Sequence, residues 1–576
     1  MTTAWNYWTV EIAKRLSALT DSTIEPGDLV VPPDSKLGDL AFGCFKLAKS
    51  MGKSPAEIAK DLASKFDIKN TDIESVAAAG PYVNFLLSTG FAVHRVIRDI
   101  EVSRDQYGNS TDGANRQLVL EYAQPNTHKE IHVGHLRNLV LGVSENLLLK
   151  KAGWEVVTAS YHGDVGAHVA KCLWWMVKSR NSVMTVDDLP MDQRTGKYLG
   201  QLYAEATRQL DEHPEYKDEI SSVQQKLEAH DPVWESLWLE TRRWSLDEMA
   251  EIFDDLGVDI TRQYLESEVT DRGQQMVDTL LEKGIAKESQ GAMIVDLEDV
   301  KLGVFLVRKS DGTSLYGTKD LALAEKKHAE YPKAERSLIL VDNRQQFYFK
   351  QLFETLKRMG ITVPHEFIGY EFVTLKSGAM SSREGNIVSF QDFRDSVIDY
   401  ARGEVLKRHE DWTEGKVTHV SWCIAMAGIK FGMLKQDSDK IFTFDLEQAL
   451  SFDGDTGPYC LYAAARLASI LRKAGPQNPF DGELASTFDH ASEKALALVL
   501  SAFPSKAKQA AAELRPAIVA QWCLDASQAI NAFYRDVPVL ESEGELREGR
   551  IRLATVARET LSLGLGLLGI RVPDEM

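Results

Sequence analysis

An apolar run of strand character, Gln117 to Ala123 (QLVLEYA), is followed after a short connection by a long helical pattern, and this pairing constrains the fold more than any other stretch. Leu136, Leu139, Val140, Val143 and Leu147 recur at the spacing of one buried helical face, and Gly153 marks the stop. A second apolar run, Glu155 to Ala159 (EVVTA), completes a strand, helix, strand unit. Units of this kind join parallel strands by a right-handed crossover. The N-terminus of the helix then stands at the carboxyl edge of the sheet, where ligands bind.

His132, Val133, Gly134 and His135 open that helix. A helix start offers unpaired N–H groups and the positive end of the dipole, so anions are favoured there before any side chain is counted. Imidazoles add directed donors for a phosphoryl group whose charge spreads over its equatorial oxygens. Gly134 permits a flat base to lie against the backbone. In a chain with this many histidines and glycines an HxGH arises by chance only about 0.02 times. Two surface histidines at a helix start remain the plain alternative until other motifs join them.

At 576 residues the chain exceeds what one core can serve and is expected to divide into three or four domains. Its 44% hydrophobic and 26% charged content is that of soluble globular proteins. The opening MTTAWNYWTVEIAKRL has early charges and no apolar core of signal-peptide type, and Leu561 to Ile570 is short and broken by three glycines. A cytoplasmic protein without a membrane span is expected. Cys44, Cys172, Cys423, Cys460 and Cys523 form no CxxC pair, which argues against a disulfide framework or a zinc ribbon. His132, His135, His162 and His168 lack cysteine partners, so no metal site is expected. The net charge of −19 excludes a uniformly basic nucleic-acid binder and leaves room for local basic patches.

Along the chain, residues 1–112 read as a small α/β module with helices over Trp5–Leu19 and Ser54–Phe66 and a strand at Tyr82–Leu87. Gly108 to Arg116 (GNSTDGANR) reads as a linker. The sheet domain is assigned to 113–170 and 285–417, resuming near Gly291 (GAMIVDL, then GVFLVRK) with strands at Ser337–Val341 and Glu366–Thr374. Residues 171–284 read as a mainly helical insertion whose tryptophans 174, 175, 234, 238 and 244 serve packing. Residues 418–576 read as helical, with few strand signals.

Met380 to Asn386 (MSSREGN) offers small hydroxyls, a glycine and an arginine after a strand, suited either to closing over a polyphosphate or to a plain surface turn. Joined to HxGH and a helical C-terminal region, it resembles the class I aminoacyl-tRNA synthetases. Within that class the chain is similar to the arginyl-tRNA synthetase family through Pro125–Asn138 (PNTHKEIHVGHLRN), Ser310–Ala322 (SDGTSLYGTKDLA), Val341–Gln346 (VDNRQQ), MSSREGN and Asp455–Arg466 (DTGPYCLYAAAR).

The resemblance implies an α/β fold: a Rossmann-type parallel-sheet catalytic domain with a helical insertion, an N-terminal α/β module and a C-terminal α-helical anticodon-binding domain. It implies activation of L-arginine by ATP with Mg2+, transfer to the terminal ribose of tRNA(Arg), and a monomer. His132, Gly134, His135, Asn126, Met380, Ser381 and Ser382 would contact ATP. Glu121, Asn126, Tyr316, Asp320 and Gln345 would form the arginine pocket. The first module would touch the tRNA elbow and the last helices the anticodon stem and loop. The class motif KMSKS reads here Ala379-Met380-Ser381-Ser382-Arg383, without either lysine, so Lys129 assisted by Arg383 is expected to supply the cation beside His132 and His135. Tyr348 stands where the family often has histidine, and the segment His162 to His168 also varies.

The residues support that pocket independently. Glu121 is an acid near the end of an apolar strand, where burial is costly without a cationic partner. A guanidinium is planar, permanently charged and bidentate toward carboxylates. Asp320 and Tyr316 share a helical face four residues apart. The bland alternative is an internal ion pair to Arg137 or Lys319. Tyr459, Tyr462, Arg466 and Arg472, on one C-terminal helix, are the candidates for RNA contact. Two rival functions stay open on sequence: a nucleotidyltransferase adenylating a small acid without tRNA, and a non-catalytic relative that binds arginine or tRNA.

Overall fold

Gln117–Glu121 (β5) lies at the centre of a five-stranded parallel sheet. The computed structural model describes residues 3–180, 186, 189–309, 316–376, 388–476 and 488–576. On one side of β5 run Glu155–His162 (β6) and Arg262–Leu265 (β7); on the other run Ala334–Asp342 (β11) and His365–Tyr370 (β12). All four pairings are parallel. The chain leaves β5 in one direction and later returns in the other, so a crevice opens at the carboxyl ends of β5 and β11.

Two expectations about this sheet need correction. β7 falls inside the stretch 171–284 read as an insertion, yet it pairs with the sheet through Ala159 opposite Arg262. Its four residues, RQYL, are too few and too polar to register as a strand. Conversely, Ala286–Ser289 (β8), Ala292–Asp296 (β9) and Val304–Arg308 (β10) form a separate antiparallel sheet rather than resuming the parallel one. Apolar alternation marks a strand but does not name its partner.

The helix that follows β5 spans Val133–Lys151 and is called the cradle helix here. It buries nearly its whole circumference, not one face, because the sheet covers one side and the helices Glu414–Leu434, Phe503–Glu513 and Gly544–Leu567 cover the other. Gly142 is needed where the helix passes the Tyr122 ring: a Cβ there would lie 1.9 Å from that ring. Asn138 accepts from the Ala123 N–H at 2.7 Å and donates to the Leu340 carbonyl at 3.1 Å, stapling the helix to the tips of β5 and β11.

The N-terminal module carries an antiparallel sheet of Leu29–Val30 (β1), Leu40–Gly43 (β2), Ile73–Ala79 (β3) and Tyr82–Leu87 (β4), ordered β1-β2-β4-β3. Its helices Ala4–Thr20 and Pro55–Lys65 fall where periodicity predicts. The second starts from a capping box, with Ser54 accepting from the Glu57 N–H and Pro55 in the first turn. A third helix, Thr89–Ser103, packs against Ala491–Ser501 and Gly544–Leu567 of the C-terminal bundle.

The stretch read as a linker is firmly seated. The Tyr107 hydroxyl donates to the Leu500 carbonyl, Gly108 lies against Phe503, and the Ser110 N–H donates to Lys151. Its polar residues close turns against neighbours rather than spacing two bodies apart. One apolar core consequently runs from Trp8 through the cradle helix to Ile570.

Between β6 and β7 stand the helices Ala167–Lys178, Gly196–Glu212, Lys217–Glu228 and Pro232–Leu256, whose tryptophans pack among them. Val373–Leu375 (β13) pairs in parallel with Phe442–Phe444 (β14), the one strand among the C-terminal helices in the described residues. The Glu414–Leu434 helix is long and apolar enough to cross a bilayer, and it is buried inside the protein.

Candidate active site

The connection from β5 to the cradle helix passes twice through left-handed backbone, at Ala123 (φ +59°) and His128 (φ +58°). Side-chain bonds hold both turns. Asn138 takes the Ala123 N–H, while His128 is buried with its N–H on Ser245 Oγ at 3.0 Å and Nε2 2.8 Å from Thr241 Oγ1. The Pro232–Leu256 helix therefore helps to aim the start of the cradle helix.

At the helix start, His132 Nδ1 accepts from the Gly134 N–H at 3.0 Å and His135 Nδ1 accepts from the His132 N–H at 3.2 Å. The rings lie 3.9 Å apart. Each backbone donor requires a lone pair on Nδ1, which assigns the ring proton of a neutral imidazole to Nε2. Burial, aided by the Lys129 charge, depresses the pKa of both, that of His135 to about 3. At neutral pH both rings are thus uncharged Nε2–H donors. Gly134 has a second reason to be glycine, since a Cβ there would come within 2.7 Å of the His132 ring.

Lys129 is half-buried with its ammonium 4.9 Å from the Tyr203 ring, which it shares with Lys171 at 4.2 Å. Met380, Ser381, Ser382 and Arg383 lie outside the described residues. The chain beyond them returns to the cradle: the Phe390 N–H donates to the Ile131 carbonyl at 2.8 Å, and Ser389 bridges His132.

Beside the cradle, at the crevice of the sheet, a cavity of about 490 Å³ is lined by Glu121, Asn126, Glu266, Asp320, Lys327 and Gln345 among others. Glu121 ends β5, and Asp320 and Lys327 come from the Tyr316–Glu330 helix. Asn126 Oδ1 accepts from the Gly163 N–H at 3.2 Å, and Gln345 is exposed at the mouth. Tyr316 opens its helix, and its side chain lies outside the described residues.

Glu121 is not the open acid that its strand position suggests. Its carboxylate is buried against the equally buried Lys327 ammonium and also accepts from Gln124 Nε2 at 2.9 Å. Neither internal partner considered from sequence is involved. Arg137 donates instead to the carbonyls of Glu371, Lys440 and Asp437, and Lys319 pairs with Glu266.

Asp320 forms no ion pair among the described residues. Its carboxylate accepts from the Tyr348 hydroxyl, and burial raises its pKa to about 7 despite that bond, with the charges of Glu121 and Glu266 adding to the rise. Glu266 and Lys327 are site residues that sequence reasoning missed. Lys327 stands seven residues, two helical turns, after Asp320 on one face, a spacing that could have revealed it.

Residues 96–446 match the family described as tRNA synthetases class I (R), catalytic domain. Over 562 residues the chain is 35% identical to the arginine–tRNA ligase of Bdellovibrio bacteriovorus, covering 95% of this chain and 94% of that protein. The chain belongs to the arginyl-tRNA synthetase family.

Two further matches fit that membership: residues 6–87 to the arginyl tRNA synthetase N terminal domain, and 460–576 to the DALR anticodon binding domain. The arginine–tRNA ligase of Streptococcus suis is 34% identical, covering 98% of this chain and 99% of that one. Among solved structures, the Thermus thermophilus arginyl-tRNA synthetase superposes with a TM-score of 0.79 at 26% identity, covering 99% of both chains. The Plasmodium falciparum enzyme, at 19% identity, shares the fold with a TM-score of 0.78 over all of both chains.

On this arginyl-tRNA synthetase chain the four C-terminal RNA candidates do not act as one face. Arg466 lies 4.4 Å from the Tyr462 ring and 5.3 Å from that of Tyr534, and donates to Asn531. Tyr462 and Tyr534 are exposed, whereas Tyr459 packs against the core. Arg472 turns away to the chain end, donating to the Asp574 carbonyl at 2.7 Å and pairing with Glu575 at 3.2 Å. The acidic tail was too far along the sequence for its capture of Arg472 to be read from helical spacing.

Proposed function

We propose that this chain activates L-arginine with ATP, taken as its magnesium complex, and transfers the arginyl group to the 3′-terminal ribose of tRNA(Arg). One observation carries this reading: a cavity whose one carboxylate without an ion pair among the described residues is Asp320 adjoins a helix start furnished with two neutral imidazole donors. A guanidinium fits such an acid by charge and by bidentate geometry.

The guanidino group is held by Asp320, with Tyr316, Glu266 and Gln345 around it and Glu121, paired with Lys327, in the same wall. Asn126 stands between this pocket and the cradle, suited to hold the reacting end of arginine. The carboxylate oxygen attacks the α-phosphorus, the new P–O bond forms, and pyrophosphate leaves with the electron pair of the broken bond. Nε2–H groups of His132 and His135 and the helix-start N–H groups meet the charge that develops on the non-bridging oxygens. Gly134 leaves room for the nucleotide, with Met380, Ser381 and Ser382 closing over it. In the second step a hydroxyl of the terminal ribose attacks the carbonyl carbon and AMP leaves. No covalent nucleophile is needed, because positioning and charge stabilisation suffice.

Lys129, with Arg383 assisting, serves as the phosphate cation; the return of the chain after Arg383 to Ile131 supports this. Lys129→Ala should slow activation at least a hundredfold, as loss of a transition-state donor does, and a change within about twofold sinks the assignment. The reading extends to division of labour along the chain: 1–112 on the tRNA elbow, 113–170 with 285–417 for chemistry, 171–284 as an insertion around β7, and 418–576 on the anticodon stem and loop. Exposed Tyr462, with the half-buried Arg466 stacked on it, offers the better RNA contacts on that last part, with Tyr459 supporting them. A monomer working in the cytoplasm completes the proposal, and sedimentation tests the first half of it.

Charging bulk tRNA with each labelled amino acid in turn tests the function. Arginine alone should become acid-precipitable. Adenylation of a different acid without tRNA, or arginine binding without turnover, would replace this reading.

A further inference from the structure

The arginine cavity is lined by more charge than one substrate can answer, and the way that charge is already paired sets what the substrate must bring. Three carboxylates, Glu121, Glu266 and Asp320, face the space. Glu121 is answered by Lys327 and Glu266 by Lys319. The remaining titratable groups at the wall carry no charge at neutral pH. Burial lowers His365 to about 4 and pushes the Tyr161 and Tyr348 hydroxyls far up. Among the described residues Asp320 alone is left over.

We propose that Lys327 is a specificity-determining residue: by cancelling Glu121 it leaves the cavity one positive charge short, so that the pocket selects a side chain bearing a single positive charge over a neutral one of the same shape. This rests on the arginine pocket assigned above and goes beyond it, since Lys327 is a positioning residue that acts through Glu121. A charge left unanswered in a buried site is costly, and the cost is the same physics whether the deficit is positive or negative. Discrimination is the difference between two such costs.

Citrulline, the neutral near-isostere of arginine, makes this measurable. In Glu121→Gln the Lys327 ammonium loses its partner, and it then balances Asp320 without help from a substrate. The preference for arginine over citrulline, read as the ratio of their inhibition or KM values in tRNA-dependent activation, should fall at least tenfold, with the KM for ATP unchanged within about threefold. Adding Lys327→Met to that variant removes the surplus charge and should restore the preference. Lys327→Met alone leaves the cavity with a surplus negative charge and should hold the preference at or above its wild-type value.

Full discrimination in Glu121→Gln would overturn the proposal; no recovery in the double variant would overturn it too, and would return Glu121 to direct contact with the guanidinium. A fall in preference in Lys327→Met alone would overturn it as well, and that arm stands even if Glu121→Gln does not fold. Asp320→Asn, measured alongside, separates the two levels of inference. If it leaves the arginine KM untouched, the pocket assignment fails; if it raises that KM while the rescue is absent, only the role of Lys327 fails.

Discussion

In the function proposed above Asp320 meets the guanidinium with one carboxyl group, and its substitution gives the sharpest test. Asp320→Asn keeps the shape and removes the charge that a guanidinium needs. It should raise the arginine KM by about a hundredfold, in keeping with a lost charge-assisted bidentate bond, while leaving the KM for ATP within about threefold. The pH dependence follows from the raised pKa of about 7, against an ordinary 3.8. Arginine binds the ionised form, so below pH 7 binding must expel a proton, and the apparent affinity should fall up to about tenfold per pH unit on acidification. Calorimetry in two buffers of different ionisation enthalpy checks this, and Asp320→Asn should abolish the proton release. The ligand-free protein carries the opposite sign. A carboxyl whose folded pKa is raised loses stability as pH climbs from about 4 to about 7, and the Asn variant should lack that slope.

What was legible at this scale has a physical pattern. The places of HVGH and Asp320 could be read because local spacing fixes where they stand: a helix start gathers N–H groups, and a helical face gathers residues four apart. The partner of Glu121 could not be found that way, because Lys327 lies 206 positions along the chain and meets it only after the sheet has formed. The loop with Arg383 lies outside the described residues, and only its return to Ile131 bears on it.

At the scale of elements the cradle helix is the part that tolerates least. Its periodicity made it visible, but the sequence showed one covered face where the structure covers almost all of them. β1, of two residues, and β7, of four, were too short to carry any periodic signal. β9 and β10 were visible as strands and assigned to the wrong sheet, since partner choice is a tertiary matter. Tight enclosure has a measurable result at Gly142, where even a methyl would meet the Tyr122 ring. Gly142→Ala should destabilise the protein by roughly 1–3 kcal/mol through overpacking, seen as a lower urea midpoint at unchanged slope. Because the same helix begins at His132, kcat for activation should fall as well. Wild-type stability in this variant would show that the helix and ring can part without cost.

For the whole molecule, the division into catalytic and RNA-binding parts describes tasks more than bodies. Lys494 of the C-terminal bundle pairs with Asp39 of the first module at 2.7 Å and donates to the Leu87 carbonyl. Ser144, in the middle of the cradle helix, donates to the Leu567 carbonyl at 2.8 Å, and Gly569 rests on Val143. A recombinant fragment limited to 113–417 would lay bare the outer flank of the cradle helix as a greasy stripe with nothing to cover it. Such a fragment should precipitate or bind a hydrophobic dye on expression, whereas a soluble, dye-silent product would show that the flank needs no cover. Anyone wishing to trim this protein to a minimal catalyst would have to repaint that flank with polar side chains first, because its parallel sheet and its C-terminal helices share a single interior.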